Sequence, residues 1–283
     1  MILFKKTADL RKWLDAQQKM DMTIGFVPTM GALHKGHISL IETSIKENAV
    51  TVCSIFVNPT QFNDPADFEK YPITLEKDIA MLEAAGCGVL FLPAVKQIYP
   101  EGVHPQMNYE LGYLETVLEG KFRPGHFQGV CMVVNRLLDI VLPHNLYLGQ
   151  KDYQQCMVIS KLVALIKQEE KINVVICPTL READGLAMSS RNLRLGKNER
   201  VTAAVIYHSL GLIQKKLQKG DTTAIVKEAH SILEKAGFKI DYVEIADAKN
   251  LSLVTKWDGR QKITALIAAY LNQVRLIDNM TLN

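Results

Sequence analysis

Pro28-Thr29-Met30-Gly31-Ala32-Leu33-His34-Lys35-Gly36-His37 is the stretch that decides the fold. It follows a strand-like run at 23–27 and leads into a helix-like run at 38–48. In that helix Ile38, Ile41 and Ile45 are expected to share one face, with Glu42 and Lys46 turned away. In an open α/β sheet, a loop between a strand and the following helix is where ligands bind. Gly31 and Gly36 let the backbone bend and approach a ligand closely. A helix opening near His37 aims its N–H groups and the positive end of its dipole at the loop, which suits phosphate. His34 and His37 are three apart, so one helical turn can bring both imidazoles to one side. Each can then donate to a phosphoryl oxygen as charge develops in a transition state.

The same alternation continues outward. Nearly continuous apolar runs at 50–57, 88–92, 145–148 and 172–177 read as strands buried on both faces. Helix-like runs at 74–85, 128–142 and 152–168 lie between them. Repeated strand-helix-strand order predicts an α/β fold: a Rossmann-like parallel sheet with helices on both faces. After residue 177 the pattern changes. Residues 178–192 read as loop or hairpin, with a turn at Asp184-Gly185. A long amphipathic helix is expected over 197–217, with Val201, Val205, His208 and Leu212 on one stripe. Gly220-Asp221 breaks it, a helix follows at 223–236, and strands are expected at 241–245, 262–271 and 273–277. The expected organisation is a ligand-binding domain at 1–177 and a smaller C-terminal α+β domain at 178–283.

Composition sets limits on the partners. Of 283 residues, 48% are apolar and 22% charged, ordinary for a globular chain. The net charge of +3 gives no bulk attraction to nucleic acid or a membrane surface, so neither is expected as a partner. No run approaches the roughly 20 apolar residues of a bilayer span. Lys5, Lys6, Asp9, Arg11 and Lys12 interrupt the first segment, against a signal peptide. The five cysteines are scattered, with no Cys-x-x-Cys, as expected of free thiols in the cytoplasm.

Three further segments carry chemistry. In Phe56-Val57-Asn58-Pro59-Thr60-Gln61-Phe62, Asn58 and Gln61 set amide groups beside apolar walls, a mixture suited to a small hydroxy acid. In Gly149-Gln150-Lys151-Asp152, Lys151 is a point charge for phosphate, while Asp152 either caps a helix or accepts from a ligand. Gln155 falls about one turn into that helix. In Ala187-Met188-Ser189-Ser190-Arg191-Asn192, two hydroxyls and a guanidinium suit a triphosphate clamp. A zinc reading of the histidines is weaker, because no Cys or third His stands nearby at ligand spacing.

His34-Lys35-Gly36-His37 after a first core strand resembles the signature of the nucleotidyl-transferring α/β superfamily that includes class I aminoacyl-tRNA synthetases. Met188 to Arg191 parallels the Lys-Met-Ser-Lys-Ser loop of the same superfamily. Together the four segments resemble the pantothenate synthetase (pantoate–β-alanine ligase) family, from about residue 20 to 195 and more loosely beyond. Arg123-Pro124-Gly125-His126-Phe127-Gln128-Gly129-Val130 and Glu69-Lys70-Tyr71-Pro72 agree with it. The resemblance implies a cytoplasmic homodimer that joins (R)-pantoate to β-alanine through a pantoyl adenylate, using ATP with Mg²⁺ and releasing AMP and pyrophosphate. It implies ATP contacts at Met30, Gly31, His34, His37, Gly149, Gln150, Lys151, Asp152, Leu180, Met188, Ser189, Ser190 and Arg191. His37, His34 and Lys151 are the expected catalytic groups, with His37 as the acid. Gln61, Gln155, Asn58 and Met30 are expected to hold pantoate or β-alanine, and the C-terminal domain to act as a lid. No protein ligand of Mg²⁺ is named by the resemblance. Two enzyme readings compete: a nucleotidylyltransferase, which would not yield AMP, and a tRNA synthetase, for which the chain is expected to lack room for a distinct anticodon domain and has no basic excess for RNA. A non-catalytic adenine-nucleotide module would bind ATP but not pantoate.

Overall fold

A computed structural model of the chain describes residues 1–62, 68–102 and 108–283. The chain divides into two compact units, Met1–Gly149 with Gln155–Pro178, and Gln150–Gln154 with Thr179–Asn283.

The first unit is built on strands β1 (Ile2–Phe4), β2 (Ile24–Thr29), β3 (Val50–Ile55), β4 (Val89–Phe91), β5 (Asn145–Gly149) and β6 (Asn173–Cys177). Their order is β1-β4-β3-β2-β5-β6, and every pairing is parallel. Its helices include α1 (Thr7–Gln18), α2 (Lys35–Glu47), α3 (Leu75–Ala84), α4 (Val95–Ile98), α5 (Leu118–Phe122), α6 (His126–Val141) and α7 (Tyr153–Leu165). The first two residues of α7 group with the second unit. Successive strand residues serve opposite faces of the sheet. Phe26, Val52, Phe91 and Leu146 pack with Leu10 and Leu14 of α1, Val134 and Leu138 of α6 and Ile159 of α7. Val27, Cys53, Leu90 and Tyr147 pack with Leu40 and Ile41 of α2 and Leu82 of α3. Helices on both faces leave the strands no polar side, which is why they read as unbroken apolar runs. The strand order reverses at β2, with β3 on one side and β5 on the other. The loop at 30–34 therefore leaves the sheet at its switch point.

One detail of α2 differs from the sequence expectation. Leu40, Ile41 and Ser44 are its buried residues, while Ile38 is half-buried and Ile45 is exposed. The cause is a close approach at Gly25, where a Cβ would stand 2.1 Å from Ser44 Oγ. Only a small side chain fits there, and Ser44 Oγ also shares a 2.8 Å hydrogen bond with Thr51 Oγ1. Ser44 therefore faces the sheet and Ile45 is turned outward.

The second unit holds an antiparallel sheet of β8 (Phe238–Asp247), β10 (Ile263–Leu271) and β11 (Val274–Thr281) in the order β11-β10-β8. Helices α8 (Lys197–Ala203), α9 (Val205–Lys216) and α10 (Thr223–Lys235) belong to it, with a small pair of β7 (Gly220–Asp221) and β9 (Lys256–Trp257). Ile206, Leu210, Ile213 and Leu233 close its core against Val243, Ile245, Ile263 and Ile267. The single helix expected over 197–217 is thus two helices that meet at Ala204, and the buried stripe is not the expected one. Val201 is 74% exposed and His208 is exposed. This segment is apolar on two sides, and the side with Ile206, Leu210 and Ile213 buries more hydrocarbon than one interrupted by His208. Among the described residues, no helix is long and apolar enough to cross a membrane.

Candidate active site

The loop after β2 is held from within. Thr29 Oγ1 donates to the Ser54 carbonyl at 2.7 Å and accepts from the Gly31 N–H at 3.2 Å. Gly31 has φ +81° and Ala32 φ +47°, two consecutive left-handed residues. Such a turn points successive N–H groups the same way, the geometry of an anion nest. Here the anion is Asp78 of α3. Its Oδ2 accepts from Ala32 N–H at 2.9 Å and its Oδ1 from Leu33 N–H at 2.8 Å. Thr74 Oγ1 donates to Oδ1 at 2.9 Å, and Asp78 is 1% exposed.

From this loop the chain enters α2 with His34 as the N-cap. His34 Nδ1 accepts from the Gly36 N–H at 3.1 Å, and His37 Nδ1 accepts from the His34 N–H at 3.4 Å. This is a capping box built from two imidazoles in place of a hydroxyl and a carboxylate. The ring centroids lie 4.0 Å apart with planes inclined at 31°. Because each Nδ1 accepts, each neutral ring carries its proton on Nε2 and can donate from that side.

The segment after β3 forms a 3₁₀ turn, Pro59–Gln61, capped by Asn58. Asn58 is 1% exposed, and its amide is spent inside the protein. Its Nδ2 donates to Gln61 Oε1 at 3.2 Å and to the Gly129 carbonyl at 3.1 Å, and its Oδ1 accepts from Tyr99 Oη at 2.9 Å. It aims Gln61, whose Nε2 lies 2.7 Å from the Met30 sulfur. The start of α6 braces the same turn. His126 Nδ1 stands 2.7 Å from the Gln61 carbonyl oxygen, and its Nε2 stands 3.0 Å from Arg123 Nη1. At Gly129 a Cβ would fall 2.2 Å from the Thr60 carbonyl oxygen, so α6 packs directly on the turn. Met30, Gly31, Ile55, Phe56, Thr74 and Asp78 line part of a mainly apolar cavity of about 260 Å³ beside the loop.

Met30, Gly31, His34, His37, Asn58 and Gln61 thus gather at the ends of β2 and β3. Gly149 ends β5, the neighbour of β2 on the other side. Gln155 lies half-buried in the first turn of α7.

The other expected residues lie in the second unit, on two segments. Gln150–Asp152 is a 3₁₀ turn, and Lys151 Nζ is 3.6 Å from Asp152 Oδ1. Asn279 of β11 donates through Nδ2 to the carbonyls of Gln150 and Lys151, each at 2.9 Å. The second segment is a hairpin bridged at Arg181 and Ala187, with Met188 N–H donating to the Leu180 carbonyl at 3.1 Å. Arg181 forms a bidentate pair with Asp278 of β11, at 2.6 and 3.0 Å. Burial pushes the Asp278 carboxyl up, and the Arg181 guanidinium opposes that. Beyond the hairpin, Ser189 Oγ accepts from the Arg191 N–H at 3.3 Å and caps the turn Ser190–Arg194. Ser190 is buried, Met188 and Arg191 are half-buried, and Leu180 is exposed. Sequence reasoning singled out neither Asp78 nor Asp278 and Asn279.

A parallel sheet with a histidine-capped helix at its switch point is the frame of a phosphate-binding α/β enzyme. Comparison with known proteins gives the particular family. The profile described as Pantoate-beta-alanine ligase matches residues 2–281. The pantothenate synthetase of Cytophaga hutchinsonii is 44% identical, over 100% of this chain and 99% of its own. That of Bacteroides thetaiotaomicron is 42% identical, over 96% and 95%. The crystal structure of pantothenate synthetase from Thermus thermophilus has a TM-score of 0.92 at 38% identity, covering 100% of this chain and 99% of that one. The pantoate-β-alanine ligase of Francisella tularensis, solved in complex with β-γ ATP and β-alanine, has a TM-score of 0.83 at 39% identity, covering 99% and 97%. The chain belongs to the pantoate–β-alanine ligase family. It is an ATP-dependent ligase that joins pantoate and β-alanine to give pantothenate.

Proposed function

We propose that the ligation proceeds through a pantoyl adenylate, and that the loop from Met30 to His37 carries the phosphate chemistry. A carboxylate is a poor acyl donor because oxide would have to leave. In the proposed route a pantoate carboxylate oxygen attacks the α-phosphorus of ATP, and pyrophosphate departs. The neutral β-alanine amine then attacks the acyl carbon, AMP departs, and the amine proton passes to water. The observation that carries this reading is the pair of neighbouring imidazoles at the start of α2, each with its Nδ1 engaged by backbone, which puts a neutral ring's proton on Nε2. Such donors match charge that builds on phosphoryl oxygens, and the helix dipole has the same sense.

In this reading His37 is the acid for the departing pyrophosphate and His34 a phosphate donor. Gly31, Gly149, Gln150, Lys151, Asp152, Met188, Ser189, Ser190 and Arg191 hold ATP, and the Leu180 backbone meets the adenine. Gln61, Gln155 and Met30 hold (R)-pantoate, and Asn58, its amide turned inward, aims Gln61. The second unit serves as a lid, and the protein works as a cytoplasmic homodimer. Among the described residues, no three His, Cys, Asp or Glu side chains are grouped to hold a metal ion. Mg²⁺ is proposed to enter with ATP, on phosphate oxygens and water.

The test is pantoate labelled with ¹⁸O in its carboxylate. An adenylate route places label in AMP; label found only in pantothenate and water sinks it. His37→Ala and Lys151→Ala are each expected to slow adenylate formation by about 10²–10³-fold in a folded protein. A variant within a few-fold of the parent removes that residue from its role.

A further inference from the structure

We propose that Asp278 and Asn279, neighbours on β11, are positioning residues for ATP: one strand sets the backbone of the Gln150–Lys151 turn and the hairpin that leads into Ser189–Arg191. The inference rests on the reading that those two segments hold the phosphate chain.

Consecutive strand residues point to opposite faces, so Asp278 and Asn279 reach two segments distant in sequence. Asn279 is 2% exposed and Asp278 4% exposed. Asn279 gives both amide hydrogens to main-chain oxygens, one to Gln150 and one to Lys151, at 2.9 Å each. Its Oδ1 accepts from Gln150 Nε2 at 3.5 Å. This fixes the backbone on which the Lys151 ammonium stands while leaving that side chain to other partners. Asp278 binds both terminal nitrogens of Arg181. Arg181 in turn donates to the Gly185 carbonyl at 3.0 Å inside the hairpin and to the Asn279 carbonyl at 3.1 Å. Its guanidinium lies 4.7 Å from the Tyr207 ring centroid. The two residues are also tied to each other, since Asp278 Oδ1 accepts from the Asn279 N–H at 2.8 Å. Both side-chain types are specified by the geometry. An aspartate at 279 would turn an acceptor toward two carbonyls, and a lysine at 181 could not present two parallel donors.

The experiment is steady-state kinetics, with pantoate-dependent exchange of labelled pyrophosphate into ATP, on Asn279→Leu, Arg181→Lys and Lys151→Ala. Asn279→Leu and Arg181→Lys are each expected to lower kcat/KM for ATP about 10- to 100-fold, as small displacements of positioned groups do. KM for pantoate should stay within about twofold, a split that general destabilisation would not produce. Folded variants with ATP kinetics like the parent overturn the proposal, and so does a matched rise in KM for ATP and pantoate. If Asn279→Leu does not fold by circular dichroism, Arg181→Lys, which keeps a cation opposite Asp278, decides alone. Lys151→Ala separates the two levels. If it leaves ATP kinetics intact, the phosphate reading of that segment fails and the proposal falls with it. If it collapses them while the other two do not, only the proposal fails.

Discussion

Replacing Asp78 by alanine should unsettle the whole turn that delivers the two histidines. The carboxylate accepts three hydrogen bonds, from Ala32 N–H, Leu33 N–H and Thr74 Oγ1, all at 2.8–2.9 Å. Ala32 and Leu33 are themselves buried, so no solvent stands ready to replace the lost acceptor. A buried donor deprived of its acceptor costs about 1–3 kcal/mol, so two amides give roughly 2–6 kcal/mol, centred near 4. Some of the stress falls on Ala32, whose left-handed backbone costs about 1 kcal/mol more for alanine than for glycine. For a unit of this size, about 4 kcal/mol corresponds to a fall in Tm of roughly 8–16 °C. Two controls grade the effect. Asp78→Asn keeps the shape but must turn its NH₂ toward one backbone N–H, donor against donor, and should fall close to alanine. Thr74→Val removes only the hydroxyl and should cost about 1 kcal/mol. Scanning calorimetry on the three variants gives the order. An Asp78→Ala protein melting within about 3 °C of the parent would refute the reasoning, because a loss that small is under about 1.5 kcal/mol.

Gly129→Ala is expected to push the Asn58–Gln61 turn away, because the new Cβ would stand 2.2 Å from the Thr60 carbonyl oxygen, a backbone atom that cannot swing aside. It should raise KM for pantoate with about 1–3 kcal/mol lost in thermal denaturation; unchanged KM and Tm would count against that packing. Burial pushes the thiols of Cys53, Cys87 and Cys177 up and that of Cys131 up to about 12. A raised thiol pKa means less thiolate below it, about one part in 10⁴ for Cys131 at pH 8. Iodoacetamide at pH 8 should therefore leave Cys131 unlabelled in the folded protein and label it on denaturation, as mass spectrometry of the peptides would read.

What the sequence made legible was the part whose signal is local. Ile24–Thr29, Val50–Ile55 and Asn145–Gly149 are strands buried on both faces, and burial on both faces leaves unbroken apolar runs. His34 and His37 stand where a loop enters a helix, and spacing alone brings them to one side. The illegible part depends on partners far along the chain. Asp78 meets Ala32 across 46 positions and Asn279 meets Gln150 across 129. In a sequence, each reads as one more polar residue on an amphipathic element. Asn58 was legible as an amide in the loop after β3, but nothing local shows that it turns inward to Gln61 and Tyr99. The division at Ala204 was hidden for another reason: two apolar stripes run along 197–217, and volume, not pattern, chooses between them.

Gln150–Gln154 belongs to the second unit, which matters to anyone who would cut the protein in two. The natural place to cleave is after Pro178, yet a fragment ending there takes Gln150 and Lys151 away from the amide that holds their carbonyls. The complementary piece keeps Asn279 with nothing to grip. Neither half would carry a finished lysine turn, and only a mixture of the two could restore it.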